Sequence, residues 1–132
     1  MIRSALFLAI ALVAAVPAVA APLTVAAGES WVFSVQRGEP VRARRVKPAA
    51  RPAAGQIKVT IIAGMGTAMT VTNYTGTAYT FRAELIGAPN DAKSRTCTLP
   101  ASRSPVLEYW PVKAKAVRIG TFKAAGPNGS CP

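Results

Sequence analysis

Apolar and polar residues alternate in three successive runs between residues 56 and 86. A period of two with β-branched and aromatic residues is typical of half-buried strands. Glycine-containing breaks at 64–66 and 73–76 separate the runs, which predicts an antiparallel meander of three strands. The inward set is expected to be Ile57, Val59, Ile61, Ala63, Met69, Val71, Tyr79, Phe81, Ala83 and Leu85.

The segment before this meander predicts further strands. A short edge strand is expected near residues 23–27, followed by a stronger candidate at 29–36. In the second strand Trp31 and Phe33 share one parity and are expected to face the core. Residues 37–40 combine glycine and proline, which predicts a turn into a return strand.

The run 104–110, SPVLEYW, allows two orientations as a strand. Either Leu107 and Tyr109 or Val106 and Trp110 face inward, because alternate residues of a strand lie on opposite faces. We expect Leu107 and Tyr109 to be the inward pair.

Short strands at 95–99 and 114–123 complete the pattern, and Gly120 suits a bulge that changes the register of the last one. Seven or eight short strands without a helical period predict an all-β fold, a small antiparallel β-sandwich. Its architecture resembles that of the immunoglobulin-like domains. The resemblance stops there, because those domains place a core tryptophan between two paired cysteines, and Trp31 precedes both cysteines of this chain.

The first twenty residues have the pattern of a signal peptide. Arg3 precedes the apolar run 5–16, and Ala18-Val19-Ala20 offers small residues for cleavage. A retained membrane anchor is the alternative, although the run is short for spanning a bilayer. We expect cleavage, a bacterial periplasmic or secreted destination, and one domain over residues 21–132. No later segment is apolar enough to span a membrane.

Positive charge is the most unusual property of the composition. The net charge of +11 falls to +10 when Arg3 leaves with the signal peptide. Such an excess favours association with polyanions, although it can also serve solubility alone. The expected partners are anionic envelope polymers or lipids, or another envelope protein.

Basic residues concentrate before the predicted meander. Arg42 and Arg44 are expected to face solvent, and the Pro/Ala-rich stretch 45–55 is expected to form an exposed, mobile loop. Nucleic acid is an unlikely partner because no aromatic residue lies among these charges to stack on bases. The candidate residues for binding an anion or a partner are Arg42, Arg44, Arg45, Lys47 and Arg51.

Two cysteines, Cys97 and Cys131, lie in the exported part of the chain. In an oxidising compartment such a pair predicts one structural disulfide. The spacing does not match the Cys-x-x-Cys of redox-active sites.

Catalytic residues are scarce. The chain has no histidine, and its five acids, Glu29, Glu39, Glu84, Asp91 and Glu108, show no spacing that pairs two on one strand face. Lys93-Ser94 is a weak candidate for a Ser-Lys hydrolase. Met65 and Met69 are too few to hold a soft metal. We therefore expect no enzyme, no cofactor and no metal.

The sequence thus predicts a non-enzymatic binding or accessory module of the cell envelope with a basic surface. The alternative is an assembly module that pairs through exposed strand edges, near 23–27 or 115–123. A hydrolase is the remaining and least favoured reading.

Overall fold

The computed structural model describes residues 20–89 and 95–125, which form nine β-strands and no helix. The count is slightly above the predicted seven or eight, and the short first strand and the arginine-rich third strand both pair with neighbours. The strands are β1 (Leu23–Ala26), β2 (Ser30–Gln36), β3 (Glu39–Val46), β4 (Ile57–Ala63), β5 (Thr67–Asn73), β6 (Tyr79–Ile86), β7 (Arg95–Leu99), β8 (Val106–Trp110) and β9 (Ala116–Ala124).

The strands form two antiparallel sheets that share one core. The first sheet has the order β1-β9-β6-β7 and the second the order β3-β2-β4-β5-β8. Phe122 of β9 stacks on Phe81 of its own sheet with ring centroids 5.1 Å apart, and lies edge-on to Phe33 of the other sheet at 5.7 Å. Buried residues of both sheets belong to the same apolar cluster. The all-β, sandwich-like prediction is confirmed.

The predicted three-strand meander is wrong in its third strand. β4 and β5 pair over their full lengths, but β6 joins the other sheet between β9 and β7. One reason is that the second edge of β5 pairs with β8. Another is Asn73, whose side-chain amide donates to the Thr77 carbonyl at 2.7 Å and to the Pro100 carbonyl at 3.3 Å. These bonds hold the β5–β6 connection against the end of β7, so that it forms a corner between the sheets.

The predicted bulge after Gly120 is confirmed. The β6–β9 register shifts between Thr80 and Arg82, and Thr121 has a positive φ of 54°. The extra residue changes the parity of β9, so that Ile119 before it and Phe122 after it are both buried.

The expected orientation of β8 is wrong. Leu107 and Tyr109 are 67% and 52% exposed, whereas Trp110 is buried and Val106 packs against the core. The register explains the difference, because Trp110 lies opposite Thr67, a fully buried residue of β5. Residues directly opposite each other share a face of the sheet. Val106 and Trp110 therefore face inward.

The outer face of the five-stranded sheet is the face turned away from the core. Val32 lies on it, since Val32 is the neighbour of the inward-facing Phe33. Ser34 is the next residue of β2 on that face, and Val41 lies directly opposite Ser34, so Val41 lies on the outer face as well. Both valines are buried, at 1% and 2% exposure, yet neither belongs to the main core cluster. Something must therefore cover this part of the outer face.

The β3–β4 connection, residues 47–56, is bonded to this face beside Val32, which lies opposite Lys58. The amine of Lys58, also on the outer face, donates to the carbonyl oxygens of Pro48 and Ala50, the latter at 2.7 Å. Pro52 is buried, and Gly55 N–H donates to the Tyr74 carbonyl at 2.9 Å. The expectation of an exposed loop at 45–55 holds for most of these residues, but Arg45 and Val46 belong to β3 and Pro52 is buried.

Several predictions fall outside the described residues. These are the signal peptide, the Lys93-Ser94 pair, and Cys131 with its predicted disulfide. Cys97 is buried in β7. No helix in the described part of the chain has the length and apolarity needed to cross a membrane.

Candidate functional site

The predicted basic residues lie along one border of the molecule. β3 is an edge strand of the five-stranded sheet, and the β3–β4 connection continues from its end. All five predicted side chains are exposed. We call this set the basic edge, which consists of Arg42, Arg44, Arg45, Lys47 and Arg51.

A β-bulge controls how β3 presents its arginines. The β2–β3 register shifts so that Arg42 and Ala43 together oppose Phe33. Without the extra residue, Arg42 would pair directly with Phe33 and point into the core. Arg42 instead has a φ of 53°, in the left-handed region that non-glycine residues seldom adopt. A backbone in this region costs on the order of 1 kcal/mol, and here it keeps the guanidinium in solvent.

Arg45 is tied to the fold by Glu29. Its guanidinium lies 3.1 Å from the Glu29 carboxylate, which also accepts from Ala26 N–H at 3.0 Å and from the indole N–H of Trp31 at 3.3 Å. The bond from Ala26 lowers the pKa of Glu29 most, followed by the Trp31 bond and the Arg45 charge. Trp31 packs against the core, as its predicted inward orientation requires. It is only half-buried, because it lies at the rim of the core.

The positive charges of the other four members of the basic edge are not paired with a described carboxylate. Within the described residues, the side chains of Arg42, Arg44, Lys47 and Arg51 make no ion pair. An open groove runs along residues 44–50, with the backbone of the connection as one wall. Guanidinium groups suit such a surface for anions, because each offers paired donors to phosphate or carboxylate oxygens.

The described carboxylates are engaged elsewhere. Glu29 pairs with Arg45. Glu84 lies 3.7 Å from Arg118, and both residues are on the four-stranded sheet. Glu39 accepts from the backbone N–H of Thr121 at 3.0 Å, which secures the β9 bulge. The fourth, Glu108, lies opposite the buried Met69 and so shares its inward face of the sheet. None of them lies close enough to the rest to form a group of three that could hold a metal ion in the described part of the chain.

One of the two predicted pairing edges is mostly taken up by other contacts. β1 is an edge strand, as expected for residues near 23–27. β9, which covers most of 115–123, lies between β1 and β6 and pairs with both. Beyond the four residues that pair with β1, the N–H groups of Thr121 and Phe122 donate to the Glu39 carboxylate and the Gly38 carbonyl, so this edge is largely occupied. β8, which the sequence did not single out, is the second edge of the five-stranded sheet.

The sequence interpretation also missed an apolar cluster on the outer face. The exposed large apolar residues of the described chain are Ile62, Met65, Leu107 and Tyr109. Ile62 carried the only signal, since it departs from the alternation of its strand. Such a departure indicates either a strand end or a covered site, and Ile62 is the next-to-last residue of β4 and is 56% exposed.

No protein-family model matches the chain, and neither the curated proteins nor the solved structures include a significant match.

Proposed function

We propose that this protein is an exported, non-enzymatic module that binds anionic components of the cell envelope through its basic edge. The supporting observation is the set of four exposed, unpaired cations within ten residues, carried by an ordered edge strand and a packed connection. The preorganised backbone reduces the ordering cost of binding. Positive net charge would add attraction over a longer range.

The wider setting of this proposal comes from the sequence pattern. A signal peptide over residues 1–20 would deliver the chain to the periplasm or outside the cell. A Cys97–Cys131 disulfide would then tie the C-terminus to β7. The immunoglobulin-like resemblance is proposed at the level of two layered sheets only, without a shared motif.

Retention on immobilised polyphosphate, an anionic polymer without acyl chains, tests the proposal. We compare wild type with a triple variant in which Arg44, Lys47 and Arg51 become Gln. Arg45 is left in place because it pairs with Glu29, and Arg42 because it forms the bulge. The matched control carries the same charge change at exposed lysines distant in sequence from β3, namely Lys113, Lys115 and Lys123.

The basic edge predicts a clear difference between the two variants. Each basic residue at an anionic surface contributes about 1 kcal/mol, so three of them give roughly a hundredfold loss of affinity. The control is expected to lose much less, through net charge alone. Equal losses in the two variants, or none, would show that the basic edge is not the binding surface.

Assembly through strand edges is the second candidate, favoured by the free edges of β1 and β8. The edge of β3 is a poor template because it carries a bulge and exposed arginines, both of which hinder pairing. Edge pairing would persist in high salt, whereas binding through the basic edge would weaken.

A further inference from the structure

The uncovered part of the outer face combines apolar side chains in one patch. Leu107 and Tyr109 are on β8, Ile62 is on β4, and Met65, 94% exposed, lies in the turn between β4 and β5. Ala68 of β5 lies opposite both Ile62 and Tyr109 and shares their face. We call this set the apolar patch, which consists of Ile62, Met65, Leu107 and Tyr109. A concentration of exposed apolar side chains marks an interaction surface.

Gly66 fixes the position of Tyr109 beside this turn. A Cβ atom at Gly66 would lie 2.7 Å from the Tyr109 hydroxyl oxygen, so the ring packs directly on the glycine. Tyr109 is thereby held against the β4–β5 turn that carries Met65. The patch therefore contains one ring whose position the fold determines.

A groove that is partly lined by Ile62 borders the patch on the same face. Thr70 and Thr72 of β5 line it together with Lys58, between walls formed by Pro48 and Pro105. Lys58 uses donors on two carbonyl oxygens of the connection and has a third N–H remaining. Within the described residues the hydroxyls of Thr70 and Thr72 have no hydrogen-bond partner. The groove thus offers a cation and two hydroxyls to an anionic group.

The charges of the outer face point to one kind of partner. Arg44 and Lys58 lie on this face, and Glu39, the one described acid with the same register, directs its carboxylate to the Thr121 N–H of β9 instead. The basic edge and β8 are separated by four strand spacings, about 19 Å. A small anion cannot reach both, and a soluble polyanion has no use for exposed apolar side chains. A second copy of this chain would bring two strongly basic surfaces together.

We propose that the outer face of the five-stranded sheet docks on an anionic phospholipid surface. The basic edge and the groove contact headgroup phosphates, while Met65, Leu107, Tyr109 and Ile62 enter the boundary between headgroups and acyl chains. Tyrosine suits this boundary because its ring is apolar and its hydroxyl is polar. This inference rests on the proposed function and adds to it the partner and a second, apolar contact.

Co-sedimentation with vesicles of phosphatidylglycerol and phosphatidylethanolamine tests the docking face. The test variant carries Met65→Ser and Leu107→Ser, both at exposed positions. The matched control carries Met65→Leu and Leu107→Met, which keep the side chains apolar. Binding is measured at low salt and at about 1 M salt, where the Debye length is about 3 Å and headgroup attraction is screened. Vesicles of phosphatidylcholine report the need for anionic lipid, and thermal unfolding reports the fold of each variant.

We expect wild type and control to bind alike and to keep part of their binding at about 1 M salt. The serine variant should bind roughly tenfold or more weakly, because it loses apolar burial at two side chains. Its retention on polyphosphate should be unchanged. Equal vesicle binding by wild type and the serine variant overturns the docking face while leaving the basic edge untouched. A change of oligomeric state in the serine variant without a change in vesicle binding also overturns it, in favour of a second copy.

The binding of anions by the basic edge and the docking of the apolar patch can be contradicted independently of each other. Loss of vesicle binding in the serine variant, with no effect of the Arg44, Lys47 and Arg51 triple variant on polyphosphate, supports the apolar contact and removes the basic edge. Binding to phosphatidylcholine as strong as to the anionic vesicles removes the anionic part of the docking proposal.

Discussion

The outer face of the five-stranded sheet has two halves that differ in what covers them. Over β2 and β3, Val32 and Val41 are buried, and Lys58, which lies opposite Val32, holds the proline-containing connection to this face. Over β4, β5 and β8, no described segment takes that place, and Ile62 remains 56% exposed. Both halves carry apolar residues at outward positions. Whether such a residue becomes core or surface is therefore decided by a connection distant from the strand itself.

This contrast also separates two uses of a basic residue. Lys58 acts within the fold, because its ammonium group joins the connection to the sheet. Arg44 and Lys47 extend from the same region without an ion pair. The covered half therefore supplies a rigid support for free cations, and the uncovered half supplies free apolar area. This combination is the basis of the proposed docking on an anionic lipid layer.

The largest effect on stability is expected from a substitution at Gly66, the glycine on which the Tyr109 ring packs. Gly66→Ala would place a Cβ against the Tyr109 ring and the backbone carbonyl of Trp110, and backbone cannot move as a side chain can. We expect a loss of about 2–3 kcal/mol in the free energy of unfolding, typical of overpacking. Urea titration followed by tryptophan fluorescence measures it.

Gly64→Ala is the matched control for that substitution. Gly64 belongs to the same turn, yet nothing lies within 4 Å of a Cβ built there. Its effect should stay within about 0.5 kcal/mol. Similar losses in the two variants would contradict the packing of Tyr109 on the turn.

A smaller effect on stability is expected when threonine replaces an apolar residue of the outer face in each of the two halves. Val32→Thr buries a hydroxyl under the connection and should cost about 1–2 kcal/mol, since a buried hydroxyl without a partner loses its hydration. Ile62→Thr places the same β-branched residue on the uncovered half and should change stability by less than about 0.5 kcal/mol. Chemical denaturation of both variants gives the comparison. An equal cost at the two positions would mean that the halves do not differ in cover.

Local alternation was sufficient for much of the fold. It predicted β4, β5 and β6 with nearly all of their inward residues, because a half-buried strand requires a period of two. The change of parity in β9 likewise identified its bulge, since only an extra residue lets Ile119 and Phe122 both face inward.

The failures arise where the decision depends on residues far apart in the chain. The alternation in β6 is the same whichever sheet it joins, and Asn73 reaches Pro100 only in the folded corner. In β8 both parities contain apolar residues, so only its pairing with β5 decides between them. For the candidate site, composition located the exposed cations, but the Glu29–Arg45 pair and the apolar patch depend on strand pairing and could not be predicted.

The smallest effect concerns Arg45, the one member of the basic edge with a described partner. The pKa of Glu29 is lowered from its ordinary value of 4.5, chiefly by the Ala26 N–H, so the folded state favours the charged carboxylate. The unfolded chain then binds more protons, and stability must fall as pH decreases from about 4.5 through the lowered pKa. Glu29→Gln removes this contribution, so wild type should exceed the variant in stability near neutral pH, and the gap should narrow in acid. Urea midpoints at about pH 7, 4 and 3 measure the gap, with Glu84→Gln as a control for the loss of one negative charge. A gap that is constant with pH would mean that the Glu29 charge does not stabilise the fold, and that Arg45 is as free as the rest of the basic edge.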